Sequence, residues 1–184
     1  MELPIIVRKR MRPPAASALW AVFFSQRGLY SPEAAIFEAA LACEDTVKRE
    51  AARTLIEKLH DLWNKGDLSR IPEIYDEAFI AHMPKGWERS EFVGHDGVRD
   101  AIERIRSAFP DWHEKVENMI VERDKVVTRY VSTGTHSGSF IGIPETGRCV
   151  SIDEISIYRI AGDRVAEQWC LTDDLTLARQ LGRL

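Results

Sequence analysis

The hydrophobic period of the chain changes at Pro110. Before it, Val47, Ala51, Leu55, Leu59, Leu62 and Trp63, and again Val98, Ile102, Ile105 and Phe109, recur at three- and four-residue steps; after it, apolar and polar residues alternate. A helix repeats its faces about every 3.6 residues and a strand every two, so helices must come first and strands last. Ser31-Pro32-Glu33 is a helix start, with a capping hydroxyl, a proline preset for the first turn and an acid at the positive end of the dipole, and Gly66 is a stop. A short helix over 71–75, a strand over 78–82 and an amphipathic helix over 96–109 follow. Extended segments then span 112–121, 125–138, 148–160 and 164–171. Arg123-Asp124, the Gly- and Pro-containing loop 139–147 and Ala161-Gly162-Asp163 separate them, and Asp173 is placed to cap a last helix carrying Leu175, Leu177 and Leu181. The pattern predicts an α+β fold in which helices cover one face of a curved, mostly antiparallel sheet.

A length of 184 residues fits one core with a small appendage. Charge marks the boundary. Arg8, Lys9, Arg10, Arg12 and Arg27 against Glu2 give the first 30 residues +4, in a chain whose net charge is −4. We expect a basic, partly helical extension over 1–45 and the α+β domain over 46–184. The basic cluster followed by Ala18-Leu19-Trp20-Ala21-Val22-Phe23-Phe24 has the outline of a secretory leader, but no small-x-small cleavage site follows it. No apolar run approaches the ~18 residues of a membrane span, and the acidic balance argues against a nucleic-acid partner. Cys43, Cys149 and Cys170 fit neither a disulfide framework nor a Cys-x-x-Cys clip, which makes a reducing cytoplasm the simplest compartment.

Neither a nucleotide-binding glycine loop nor a His-Glu-x-x-His or Gly-x-Ser-x-Gly motif is present. What remains is polarity where a buried sheet face would prefer Val, Ile or Leu. Alternation puts Glu154, Ser156 and Tyr158 on one face of their segment, and Gln168 and Cys170 on one face of the next. If these faces line the concave side, they make a polar floor in an apolar hollow, which is a small-molecule site; the alternative is a Glu154 facing solvent. His82, at the end of an apolar strand, and His136, in Gly134-Thr135-His136-Ser137-Gly138, can pass protons near neutral pH or can fix a loop through backbone hydrogen bonds. Trp87, in the polar loop Lys85-Gly86-Trp87-Glu88-Arg89, is a candidate for a pocket mouth. His60, His95 and His113 read as exposed helix or loop positions, so we expect no metal site.

Residues 52–184 resemble the SnoaL-like family of polyketide cyclases and ester cyclases, within the nuclear transport factor 2-like superfamily. The resemblance rests on Asn64-Lys65-Gly66-Asp67-Leu68, Gly94-His95-Asp96-Gly97-Val98 and Ala108-Phe109-Pro110-Asp111. Further along it rests on Gly134-Thr135-His136-Ser137-Gly138 with Gly142-Ile143-Pro144-x-Thr146-Gly147, and on Glu167-Gln168-Trp169-x-x-x-Asp173 with Arg179-Gln180-Leu181-Gly182. It implies a cone-shaped α+β barrel and ring closure by intramolecular aldol condensation without cofactor or metal, using an aspartate on the last strand with a histidine nearby. Matching strand ends puts Cys170 at the aspartate and Ser156 at the histidine, and an ordinary thiol is a poor replacement for that carboxylate. The expected function is therefore a cofactor-independent cyclase, isomerase or dehydratase acting on an aromatic or polyketide-like ligand. His82, Glu154 and Cys170 are its candidate catalytic groups, and Trp87, His136, Ser156, Tyr158, Gln168 and Asp173 its candidate ligand contacts. The alternative is a non-catalytic binding or dimerisation module that has lost the aspartate. The resemblance also implies a homodimer paired through the exposed sheet face, at Thr128, Tyr130 and Ser132 or their alternates.

Overall fold

Nothing between Glu33 and Lys65 interrupts a helix, for the stretch holds neither glycine nor proline, and α1 accordingly runs unbroken over Pro32–Lys65. The computed structural model describes residues 32–84 and 89–183, with side chains from residue 36 onward. The basic segment before residue 32 and Trp87 lie outside the described residues. Two compact units are distinguished, Met1–Thr46 and Val47–Leu184. Within the second, the buried stripe of α1 is Ile56, Leu59 and Leu62, flanked by Ala52, Leu55 and Trp63. Val47 and Ala51, expected on that stripe, are exposed. Steps of four residues drift about 40° each around a 3.6-residue helix, so three such steps carry Val47 off the buried face. The same drift brings His60 onto it, only 4% exposed where an exposed position was expected.

After a 3-10 turn over Leu68–Arg70 come α2 (Ile71–Ile74), β1 (Tyr75–His82), β2 (Glu91–Val93) and α3 (Gly94–Ala108). Then follow β3 (His113–Glu122), β4 (Lys125–Thr135), β5 (Cys149–Ala161), β6 (Arg164–Thr172) and α4 (Asp174–Leu181). β2, only three residues long, shows no period in the sequence and was not expected. The six strands form one sheet in the order β2-β1-β6-β5-β4-β3. Every pairing is antiparallel except β1 with β6, which confirms the α+β class with a mostly antiparallel sheet. Register shifts interrupt β3 between Val116 and Asn118 and β5 between Arg159 and Ile160, and bulges of this kind bend a strand and curl its sheet.

Alternation decides what each face carries. Val126, Thr128, Tyr130 and Ser132 of β4, and Val150, Ile152, Glu154, Ser156 and Tyr158 of β5, are buried against the helices. Thr128, Tyr130 and Ser132 thus point inward, and it is their alternates, Val127, Arg129 and Val131, that face out with Ile155 and Ile157. One apolar cluster gathers α1, α2 and β1 around Ile56, Leu59, Tyr75 and Phe79. A second gathers the end of α3, the loop 139–147 and α4 around Phe109, Trp112, Phe140 and Leu177. α3 seats closely on β2 because Gly97 has no side chain; a Cβ there would lie 2.9 Å from the Phe92 carbonyl carbon.

One polar tie fastens α1 to the first residues of β3. Asn64 Nδ2 donates to the Glu114 carbonyl at 3.0 Å, and the Glu114 N–H donates to Asn64 Oδ1 at 2.6 Å. Both groups are partly buried, so losing the amide leaves two backbone groups short of partners. Asn64→Ala is expected to cost about 2 kcal/mol and to lower the thermal midpoint by several degrees, while Asn64→Asp, which keeps the acceptor, costs less. Midpoints measured by circular dichroism decide this, and an unchanged midpoint in the alanine variant shows the tie to be dispensable.

Candidate active site

Because β4, β5 and β6 turn polar side chains toward the helices while α1 and α3 present apolar ones, the space between them is a hollow with a polar floor. It is a cavity of about 100 Å³, and its lining draws on both apolar clusters. Glu114, Tyr130, Glu154, Tyr158, Gln168 and Cys170 supply its polar surface, and Leu59, Phe79, Phe92, Val98 and Trp112 are among its apolar walls. Exposed Arg89 and Arg104 also border it; Arg89 donates to Asp100 and lies over the Phe92 ring.

Glu154 is the carboxyl at the centre of the floor. Its Oε1 accepts a very short hydrogen bond from Ser132 Oγ, and its Oε2 lies 3.8 Å from Cys170 Sγ. No cation compensates it in these contacts. Burial pushes its pKa up from 4.5 to about 8, the negative charge of Glu114 adding to the effect and the Ser132 hydrogen bond opposing it. At neutral pH the group is therefore mostly a carboxylic acid with a proton to donate. Its charge is disfavoured without being forbidden, which is the condition for giving and regaining a proton.

Cys170 sits diagonally across the β5–β6 pair from Glu154, opposite Ser156. Burial first, and then the Glu154 charge, push its thiol up to about 12, so it is neither a thiolate nucleophile nor a base near neutral pH. It is one member of a donor cluster: Tyr130 Oη lies 3.0 Å from Ser156 Oγ and 3.8 Å from Cys170 Sγ, and Gln168 Nε2 donates to Ser156 Oγ at 3.1 Å. Burial also raises the phenols of Tyr130 and Tyr158 well above their ordinary value, keeping both protonated.

The structure thus brings Glu154, Tyr158, Gln168 and Cys170 to one cavity, with Ser156 directly behind them. His82 is not among them. Phe79 and Ala81 take the inward positions of β1, so the period of two sends His82 to the other face. There its Nε2 lies 3.0 Å from Glu167 Oε1 and its ring stacks on Trp169. His136 is fully buried away from the cavity lining, its Nδ1 3.0 Å from Thr146 Oγ1 and its backbone bonded to Arg148 and Gly147, so it fixes the loop 139–147. Asp173 caps α4 by accepting from the Thr176 N–H at 3.0 Å and does not line the cavity.

Two residues that sequence reasoning passed over complete the site. Glu114 is 8% exposed and lines the cavity. Its Oε2 lies 2.6 Å from His60 Nδ1 and its Oε1 accepts from Trp112 Nε1 at 3.2 Å. His60 packs edge-on against Tyr130, ring centroids 4.9 Å apart. The signal for His60 was its place between Leu59 and Leu62 and four residues after Ile56; for Glu114 it was its distance of two from Trp112 at a strand start.

Comparison with known proteins bears on the whole domain. The family model of the SnoaL-like polyketide cyclases matches residues 53–181. TsrD from Streptomyces laurentii is similar in structure with a TM-score of 0.65 and 31% sequence identity, over 74% of this chain and 98% of its own. AclR from Streptomyces galilaeus, described as a candidate hydroxylase, has a TM-score of 0.64 and 28% identity over 74% of this chain and 87% of its own. IdmH from Streptomyces antibioticus, described as a candidate polyketide cyclase, has a TM-score of 0.62 and 29% identity over 71% of this chain and 97% of its own. No curated protein matches.

The raised Glu154 pKa has a consequence for stability. Between pH 4.5, where the unfolded carboxyl titrates, and about pH 8, the folded chain holds a proton that the unfolded chain has lost. Stability therefore falls as pH rises through that window and levels off above it. Glu154→Gln removes this slope. In urea titrations the variant is expected to gain on the native chain from pH 5 to pH 8.5, by up to roughly 4 kcal/mol. Parallel pH profiles for the two proteins would show that Glu154 is ionised throughout.

Proposed function

Because the chain belongs to the SnoaL-like polyketide cyclase family, we propose that it is a small-molecule enzyme that moves protons in its cavity, with Glu154 as the acid/base group. The observation that carries this reading is a carboxyl buried in a largely apolar hollow, its direct contacts a hydroxyl and a thiol and its pKa raised by burial. A carbonyl oxygen seated on the floor would receive the Glu154 proton as the adjacent carbon gives one up to a base on the cavity wall, leaving an enol. That enol can close onto a second carbonyl, return its proton at another position or expel a hydroxyl, which are cyclisation, isomerisation and dehydration. The description of IdmH as a candidate polyketide cyclase agrees with the first of these. The aromatic and aliphatic walls suit an aromatic or polyketide-like ligand.

The proposal moves the titratable group by one strand. Where the family resemblance implies an aspartate on the last long strand, this chain has Cys170, whose burial keeps it a neutral thiol near neutral pH. Glu154 reaches the space in front of that thiol from β5, at 3.8 Å. The second reading, a binding module without turnover, is favoured by Cys170 itself, since the implied aspartate is gone. Exposed Ile155, Ile157 and Leu171 on the outer face support the accompanying proposal that two copies pair there, and the cytoplasm remains the compartment proposed for a chain with three free cysteines.

Exchange of a carbon-bound proton separates turnover from binding without the natural substrate. The protein is expected to accelerate deuterium uptake into the methyl group of 2-acetylnaphthalene in D2O, followed by NMR, and Glu154→Gln is expected to reduce the rate about 100-fold or more with its fold intact. Binding of the ketone without exchange above the buffer rate would make the protein a binder.

A further inference from the structure

Glu154 can donate a proton to a carbonyl oxygen, but the same step needs a second group to take the proton leaving carbon. We propose that Glu114 is that base, held in place by His60 and Asn64. The inference rests on the proton-transfer reading above and adds to it a second catalytic residue and a substrate class: ketones with an enolisable C–H next to the carbonyl that Glu154 protonates.

Glu114 pairs in register with Ser132, and Ser132 Oγ donates to Glu154 Oε1. The two glutamates thus rise from β3 and β5 on either side of β4, both lining the same cavity. Strands stand about 4.8 Å apart, so the two backbones are roughly 10 Å apart, with the hollow of about 100 Å³ beside them. A ketone whose oxygen meets Glu154 can present its α-carbon toward β3.

Glu154 has only neutral hydrogen-bonding neighbours, Ser132 and Cys170, and stays protonated. Glu114 instead accepts from two N–H groups, His60 Nδ1 at 2.6 Å and Trp112 Nε1 at 3.2 Å. A carboxylate has about four lone-pair sites, so two remain for a substrate hydrogen. The tautomer with hydrogen on Nδ1 is the one that serves Glu114, and His60 Nε2 has no hydrogen-bond partner among the described residues. His60 is thereby a dedicated orienter. With His60 and Asn64 one turn apart on α1, the helix holds both the carboxylate and the backbone of this one residue. Two carboxyls in one site, one contacted by a hydroxyl and a thiol and the other held by two N–H groups, can divide the acid and base roles between them.

The α-C–H bond breaks and its proton goes to Glu114. The C–H electron pair forms the C=C bond of the enol, and the carbonyl π pair goes to oxygen, which takes the Glu154 proton. Reversal from deuterium-exchanged carboxyls leaves deuterium on carbon.

The test uses 2-acetylnaphthalene with the full chain and its Glu154→Gln, Glu114→Gln and Glu114→Asp variants. We expect both Gln variants to lose about 100-fold or more in maximal exchange rate, with the KM for the ketone changed less than about threefold; Glu114→Asp retains the carboxylate and recovers part of the rate. Glu114 also acts on Glu154 by its charge, as Asp174 does, though burial is the larger cause of the raised Glu154 pKa, so the comparison is repeated at about pH 5, where burial alone favours the protonated Glu154. A loss that persists there supports the base; full recovery overturns it in favour of a purely electrostatic role. Native-like exchange in Glu114→Gln overturns it while leaving Glu154 in place. Should Glu114→Gln fail to fold, Glu114→Asp decides: a folded aspartate variant with an unchanged rate overturns the proposal, and one with a lowered rate at constant KM supports it. Absence of exchange by the native protein instead removes the proton-transfer reading itself.

Discussion

Two side chains one turn apart in α1 take hold of a single residue of β3. His60 lies against the Glu114 carboxylate, Asn64 bonds both sides of its peptide backbone, and Trp112 closes the remaining oxygen. This tie determines how the helix sits on the sheet. It spans 50 residues between Asn64 and Glu114, so it is made only when the fold is complete, and it fixes one end of the hollow. A purely apolar contact between α1 and β3 would leave the helix free to settle deeper onto the concave face. A paired polar anchor of fixed hydrogen-bond length holds it at a set height.

Given that height, the remaining properties follow from the dielectric. A carboxyl such as Glu154, turned into a space walled by Leu59, Phe79, Phe92 and Val98, is largely withdrawn from bulk water. Its contacts are a hydroxyl and a thiol, so the proton stays on. The neighbouring thiol and phenols are driven the same way, and the floor becomes a set of neutral donors with one group close to its titration point. A cluster of this kind suits a ligand whose oxygen becomes more basic during reaction, because donors aimed at developing negative charge act most strongly where water is excluded.

How much of this was readable in the sequence depended on which period governed each residue. In β5 the period is two and leaves no drift, so Glu154, Ser156 and Tyr158 fall on one buried face whatever the exact strand ends. His82 obeys the same rule: with Phe79 and Ala81 inward it must point out, and its place beside an apolar run was the weaker signal. In α1 the period is not an integer, and a row of four-residue steps hid the rotation that carries His60 inward and Val47 outward. Glu114 is flanked by His113 and Lys115, both exposed, so its local sequence reads as a solvated edge; only its partner 54 residues earlier, in α1, explains its burial. Long-range pairing of two polar residues leaves no mark in local alternation.

The account stands on the protonation state of one side chain. Incorporating glutamate labelled with 13C at the side-chain carboxyl, and using Glu154→Gln to identify the resonance, lets the Glu154 carboxyl be titrated directly in the folded protein. The structure predicts a midpoint near pH 8. A midpoint at the ordinary value of 4.5 would mean that the floor of the cavity carries a solvated carboxylate, and the acid at the centre of this account would not exist.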